Sequence, residues 1–179
     1  MPASPWLGSA DVPELDAGDH VRGTGPLAVV YLDLACPRCA ASWAAISSLP
    51  LQLCVRHFPV ASKRPRSPAL HAAAEAVASQ SEPAFWDFWD SLLADRARVD
   101  DPHLWRRVES LGLDLERFQR DRRGDAVAAR VRRDFESGIR AGVVATPAGF
   151  AAGQALGGDL LAALRQVAGR SGTGRSHAR

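Results

Sequence analysis

The sequence is poor in cysteine, with three in 179 residues, and an odd number cannot all pair. That count argues against a disulfide-stapled secreted domain and suits one redox pair plus a spare thiol in a reducing compartment. A second Cys-x-x-Cys is missing. The five histidines, scattered from His20 to His177, contain no closely spaced pair, so no recognisable pattern supplies the ligands of a structural zinc site. No apolar run reaches the roughly 18 residues that would suggest a membrane-spanning helix. A net charge of +2 is too small to point to nucleic acid or a membrane surface as partner. The first residues, MPASPWLGSADVPELDAGD, lack a basic segment followed by an apolar one, so no secretory signal is read there and the expected location is cytoplasmic.

What is present is enough for one sizeable core, since 46% of the residues are apolar. The organising stretch is Leu27 to Leu49. Leu27–Leu34 is a near-continuous apolar run rich in β-branched and aromatic residues, as in a strand covered on both faces. Cys36-Pro37-Arg38-Cys39 follows, with proline where a missing N–H is harmless at a helix start. The alanine-rich AASWAAISSL then predicts a helix. Cys36 therefore falls at a helix N-terminus, where orphan N–H groups and the macrodipole favour a thiolate, the species that attacks disulfides. Arg38 adds a formal positive charge, and Cys39 lies one turn away. Strand, Cys-Pro-x-Cys and helix together point to a dithiol–disulfide site rather than half of a zinc site.

Leu51–Phe58 alternates like a second strand, parallel to the first through a βαβ connection. Cys54 on it reads as a small buried hydrophobe. Helices are expected over 67–80, 82–93, 101–111, 114–120 and 125–138. The aromatic stripe Phe85, Trp86, Phe88 and Trp89 could line a groove, but packing between helices suits it better. Val127, Val131, Phe135 and Ile139 recur every fourth residue among interleaved arginines and carboxylates, which predicts a solvated helix with an apolar stripe. Gly142–Pro147 returns to strand-like residues, and 159–168 predicts a last amphipathic helix. His20, next to a short predicted strand, reads as a structural hydrogen-bonder.

Several segments now carry a resemblance. Asp19-His20-Val21-Arg22-Gly23, Tyr31-Leu32-Asp33-Leu34-Ala35 leading into the cysteines, Arg56-His57-Phe58-Pro59, Phe85-Trp86, Leu111-Gly112-Leu113-Asp114 and Gly142-Val143-Val144-Ala145-Thr146-Pro147 follow one another with the order and spacing of the DsbA-like branch of the thioredoxin superfamily. The resemblance implies an α/β, thioredoxin-like fold with an inserted all-helical subdomain. It agrees with a layout of a flexible N-terminal arm over 1–18, a first thioredoxin-like part over 19–66, a helical insertion over 67–141, a second thioredoxin-like part over 142–169 and a disordered tail over 170–179. It also implies that Cys36 is the exposed nucleophile, Cys39 the resolving cysteine and Pro147 a cis-proline that presents backbone to an extended substrate. Pro37, Arg38 and Thr146 would play supporting parts. Asp33 is a candidate proton acceptor for Cys39, although a hydrogen-bonded strand-end carboxylate is the simpler reading.

The chain departs from the resemblance after Pro147, where Ala148-Gly149-Phe150-Ala151 replaces a segment with two aromatics and a hairpin would be short of residues. Weaker strand propensity and core packing are expected there. The expected activity is thiol–disulfide exchange with protein thiols or small thiols such as glutathione, without a bound cofactor or metal. The competing class is a thioredoxin-fold module that binds peptides or partners with little redox turnover. A glutathione transferase of the kappa type is disfavoured, because those usually carry a serine in place of the Cys-x-x-Cys.

Overall fold

The computed structural model describes residue 12 and residues 14–170. The sheet begins with β1 (His20–Arg22), β2 (Leu27–Leu32) and β3 (Gln52–His57), with α1 (Pro37–Ser47) between β2 and β3. Five helices follow: α2 (Ser67–Ala78), α3 (Glu82–Ala94), α4 (Asp101–Ser110), α5 (Leu115–Asp121) and α6 (Asp125–Arg140). The chain then returns to the sheet as β4 (Ala148–Ala151) and β5 (Gln154–Leu156) and ends in α7 (Leu160–Gly169). This is the α/β, thioredoxin-like arrangement with helices inserted between β3 and β4.

The strand order is β1-β3-β2-β4-β5; β2 and β3 are parallel, and the other neighbours are antiparallel. The continuous apolar run of β2 follows from its central place. Ala28, Val30 and Leu32 face a large core built with α1, α2, α3 and α7, whereas Val29 and Tyr31 face a smaller one with Cys54, Phe58 and Phe150. Cys54 is a fully buried thiol, and burial pushes its pKa well above the ordinary thiol range.

Helix ends follow local chemistry. Ser81, Asp100, Asp114 and Asp159 each accept backbone N–H bonds at the start of α3, α4, α5 and α7. Gly142, at φ +82°, closes α6 with a Gly142 N–H bond to Ile139 and a Val143 N–H bond to Gly138.

Four expectations are corrected. Gly142–Pro147 is not strand; pairing starts at Ala148, after a proline that has no N–H to contribute to a ladder. The stretch after it does form a hairpin, through Ala152 and Gly153 at φ 50° and 72°, the handedness a two-residue turn requires. Gly149 does not leave a hole, because a Cβ there would meet Leu160 Cδ1 at 2.4 Å, so the leucine fills the space. The four-residue stripe on α6 is only part of its buried face, with Val127 buried and Phe135 against Phe58. Ile139 is 54% exposed, whereas Asp134, Ser137 and Gly138 are buried with Val127.

The arm and the tail lie largely outside the described residues, at 1–11, 13 and 171–179. The end of the arm is held rather than loose. Asp16 pairs with Arg133 at 2.8 Å, and Arg56 donates to the Glu14 carbonyl at 3.3 Å.

Candidate active site

Cys36 is the N-cap of α1, with extended backbone (φ −82°, ψ 124°), and Pro37 occupies the first helical position. Its N–H donates to the Asp33 carbonyl at 2.9 Å, and its own carbonyl accepts from Ala40 at 3.1 Å. Cys39 follows on the buried side of the helix. Both are free thiols.

Facing them is Thr146, joined to Pro147 by a cis peptide bond. Cys36 Sγ lies 3.6 Å from the Thr146 carbonyl oxygen. Thr146 Oγ1 is buried and has no hydrogen-bond partner among the described residues, which leaves it available to donate to a sulfur anion.

The two thiols titrate apart. The Cys39 thiol donating to Cys36, with Thr146 and the backbone N–H groups of Cys39 and Arg38, brings the Cys36 pKa down to about 4 against the cost of burial. Burial, together with the neighbouring Cys36, pushes Cys39 far above the ordinary thiol range. One sulfur is thus an anion near neutral pH and the other keeps its proton.

Three expectations change here. Cys36 is not exposed; its relative exposure is 0%. The Arg38 side chain points to solvent, and the residue acts on Cys36 through its backbone N–H, because a side chain on the outer face of the first turn stays in water while the amide points into the cap. Asp33 is not a free proton acceptor. It is fully buried and accepts from Ala35 N at 2.8 Å, Ser67 Oγ at 2.6 Å, Val60 N at 3.2 Å and Arg64 at 3.0 Å. Burial alone would raise its pKa, but the bonds from Ser67 and Ala35 hold it well below the usual carboxylate range.

Behind this turn lies a polar core that the sequence reading did not find. His20 is stacked on Phe85 at 3.7 Å and bonded to Glu75 at 2.6 Å and Glu82 at 2.9 Å. Those carboxylates outweigh burial and raise its pKa to about 9. His57 bonds to His71 at 2.7 Å and to Glu75 at 3.0 Å; burial keeps both histidines below their ordinary values. Bonds from His20 and His57 outweigh burial and bring Glu75 down to about 2. Arg130 adds a contact of 3.3 Å to Glu75. Close by, Arg56 pairs at 3.0 Å with Asp19, whose side chain is fully buried. One signal for part of this core was in the sequence: His71 and Glu75 are four apart on an alanine-rich helix and share a face.

His20, His57 and Glu75 bring three ligand-type atoms within 4.8 Å of one another. Their 2.6 and 3.0 Å separations are hydrogen-bond distances, and Arg130 already supplies a cation beside the carboxylate. The cluster is therefore a closed ion-paired network. A groove of about 1050 Å³ lies along Leu27, Phe150, Leu156, Ala163 and Val167, and none of the cysteines lines it.

Comparisons with known proteins agree with this layout. Residues 40–168 match the family model of the DSBA-like thioredoxin domain. A thioredoxin-like oxidoreductase from Silicibacter pomeroyi superposes with a TM-score of 0.74 at 21% identity, over 87% of this chain and 93% of that one. The thiol-disulfide exchange protein alpha-DsbA2 from Wolbachia pipientis gives 0.76 at 20% identity, over 87% and 88%. Both show a shared fold. A Na(+)/H(+) antiporter NhaA of Herminiimonas arsenicoxydans is 36% identical over 150 residues, covering 79% of this chain and 23% of the antiporter. The chain thus spans under a quarter of the length of that curated relative, and no helix among the described residues is long and apolar enough to cross a membrane. On the family match over most of its length, the chain belongs to the DSBA-like thioredoxin domain family.

Proposed function

We propose that this chain is a thiol–disulfide oxidoreductase working through Cys36 and Cys39. The observation that carries the reading is the opposite titration of two thiols one helical turn apart, with Cys36 at the N-cap beside Thr146 and Pro147. The Cys36 thiolate attacks one sulfur of a partner disulfide, forms a mixed disulfide and releases the partner's other sulfur as a thiolate. Cys39 then gives up its proton, attacks Cys36 Sγ and releases the second partner thiol. The protein dithiol is oxidised and the partner disulfide reduced; the reverse sequence forms a disulfide in the partner. Neither direction needs a cofactor.

The attacking thiolate is stabilised by the Cys39 thiol, the Thr146 hydroxyl and the first N–H groups of α1. Because Cys36 is fully covered, attack requires a local opening that uncovers Sγ. Partners are proteins or small thiols bearing a disulfide or thiol. The cysteine count suits a reducing compartment, and the proposal places the exchange in the cytoplasm. The antiporter name describes proteins of which this chain matches a small part, and the assignment to these residues is thiol chemistry.

The test is trapping. Cys36→Ser brings exchange with a disulfide substrate to background, whereas Cys39→Ser accumulates a mixed disulfide detectable by intact mass. Full activity in Cys36→Ser would end the assignment. The burial of Cys36 favours one competing reading, a partner-binding module with little turnover. That reading gains if a partner is bound equally well when both cysteines are replaced and no mixed disulfide is trapped.

A further inference from the structure

The groups behind the cysteine turn form an unbroken line of hydrogen bonds whose direction can be assigned. The Leu34 N–H donates to His71 Nε2 at 3.1 Å. An amide nitrogen can only donate, so His71 Nε2 carries no proton. The neutral ring then has its proton on Nδ1, which lies 2.7 Å from His57 Nδ1. That atom must accept, so the His57 proton is on Nε2, 3.0 Å from Glu75 Oε1. The same carboxylate oxygen takes a second bond, 2.6 Å long, from His20 Nε2. His20 Nδ1 donates to Glu82 at 2.9 Å, so this ring is doubly protonated. One assignment of protons satisfies every link, and it makes His57 and His71 neutral and His20 an imidazolium.

The line crosses four parts of the fold: Glu82 on α3, Glu75 and His71 on α2, His20 on β1 and His57 on β3, ending at the backbone just past β2. Its surroundings hold each link. Phe85 stacks on His20, and the Trp89 ring lies 5.5 Å from His57 and 6.0 Å from His71. From α6, Arg130 contacts Glu75 and Asp134 accepts the His57 backbone N–H at 3.1 Å. Asp33 Oδ1 is 3.7 Å from His71 Nε2, beyond hydrogen-bond distance.

At the receiving end, three successive amides are fixed. Leu34 N–H goes to His71, Ala35 N–H to the Asp33 carboxylate and Cys36 N–H to the Asp33 carbonyl. Ser67, four residues before His71 on α2, donates to the other side of the turn at Asp33 Oδ1.

We propose that the helical insertion positions the Cys36 turn through this directed chain, with His71, held in its Nδ1–H form by His57 and Glu75, as the positioning residue. His71 touches neither sulfur and acts only through the Leu34 amide. When the turn is held, Cys36 Sγ stays aligned with the N–H groups of Arg38 and Cys39 and with the Cys39 thiol. Those bonds weaken steeply with misalignment. Removal of the acceptor leaves the Leu34 N–H buried and unpaired, and the turn relaxes to satisfy it.

The proposal rests on Cys36 being the reactive thiolate, and two measurements test it without a disulfide substrate. The first is the nitrogen NMR spectrum of the histidine side chains in the full chain near neutral pH. The expected result is His71 protonated on Nδ1, His57 on Nε2 and His20 on both; His71 protonated on Nε2 would overturn the proposal. The second is the thiolate absorbance of the reduced protein against pH. His71→Leu moves the Cys36 midpoint up by about one unit, an approximately tenfold loss of thiolate on the acid side. His71→Gln, whose side-chain oxygen can replace Nε2 as acceptor for Leu34, stays near the parent midpoint. A folded His71→Leu protein with an unmoved midpoint would also overturn the proposal. If His71→Leu does not fold, the tautomers of the parent protein still decide. If the chain exchanges no disulfides at all, both readouts remain measurable, so that failure is distinguishable from this one.

Discussion

Cys36 and Cys39 stand one turn apart on α1, and a stretch of about twenty residues from β2 to the end of α1 places them. His20, His57, His71 and Glu75 come from β1, β3 and α2, with His20 and Glu75 separated by 55 residues in sequence. The first region uses backbone N–H groups, a helix end and one neighbouring thiol to hold a negative sulfur. The second uses three imidazoles and two carboxylates to hold a positive ring, His20, in an apolar interior. Charge stabilised mainly by local backbone depends on distant segments at few points, here Thr146 and the His71 bond to the turn. Charge stabilised by side chains from separate elements depends on all of them docking together, and so ties the helical insertion to the sheet.

The largest effect that breaks this comparison on the side of the polar core comes from Glu75→Leu. It leaves the His20 imidazolium without its buried partner and strands the His57 N–H, at an expected loss of about 3 to 5 kcal/mol of stability. Urea unfolding of the reduced protein measures it. A loss under about 1 kcal/mol, the range of an exposed pair, would mean the cluster is solvated in solution.

A smaller effect tests packing beyond the cysteines. Gly149→Val drives its Cβ into Leu160, which already fills that space, and is expected to cost about 1 to 3 kcal/mol. A stabilised variant would show that the departure after Pro147 leaves a real gap.

The subtlest effect is in the pH dependence and sets the two regions against each other. His20 has a folded pKa of about 9 against an ordinary 6.5. Its contribution to stability is complete below the lower value and fades as pH rises through the upper one. Cys36 has a folded pKa of about 4 against an ordinary 9.0, so its contribution is complete above the upper value and fades as pH falls. Between about 6.5 and 9 the two slopes oppose each other, and the reduced protein should be nearly flat in stability. Cys36→Ser removes one slope, and its urea midpoint should fall as pH rises across this window. Parallel profiles for the two proteins would show that the Cys36 shift is absent. Below about 6.5, His57 and His71, kept neutral by burial, make stability fall with acid, because the unfolded chain takes up protons that the folded one refuses.

How much of this was legible in the sequence follows from the same contrast. The strand, the Cys-x-x-Cys turn and its helix, the parallel βαβ unit and the inserted helices rest on short-range patterns, and the observed elements match them within a few residues. Tyr31 and Val29 read as one run with Ala28 and Val30 because β2 has a core on each face. The polar core was not legible, because no period links His20, His57 and His71 once they lie on three different elements. Asp134 and Ser137 on α6 share the buried face with part of the apolar stripe for a related reason: they meet polar partners, the His57 amide and the Tyr31 hydroxyl, rather than hydrocarbon. The burial of Cys36 was equally out of reach, since the cover comes from distant segments that include Thr146, 110 residues further along.

The most direct test of the central claim is a redox titration of the full chain in glutathione buffers, with free thiols tagged and the intact mass read at each potential. The account predicts one two-electron transition confined to Cys36 and Cys39, with Cys54 untouched throughout. No reversible disulfide between Cys36 and Cys39 at any potential in the range would contradict it.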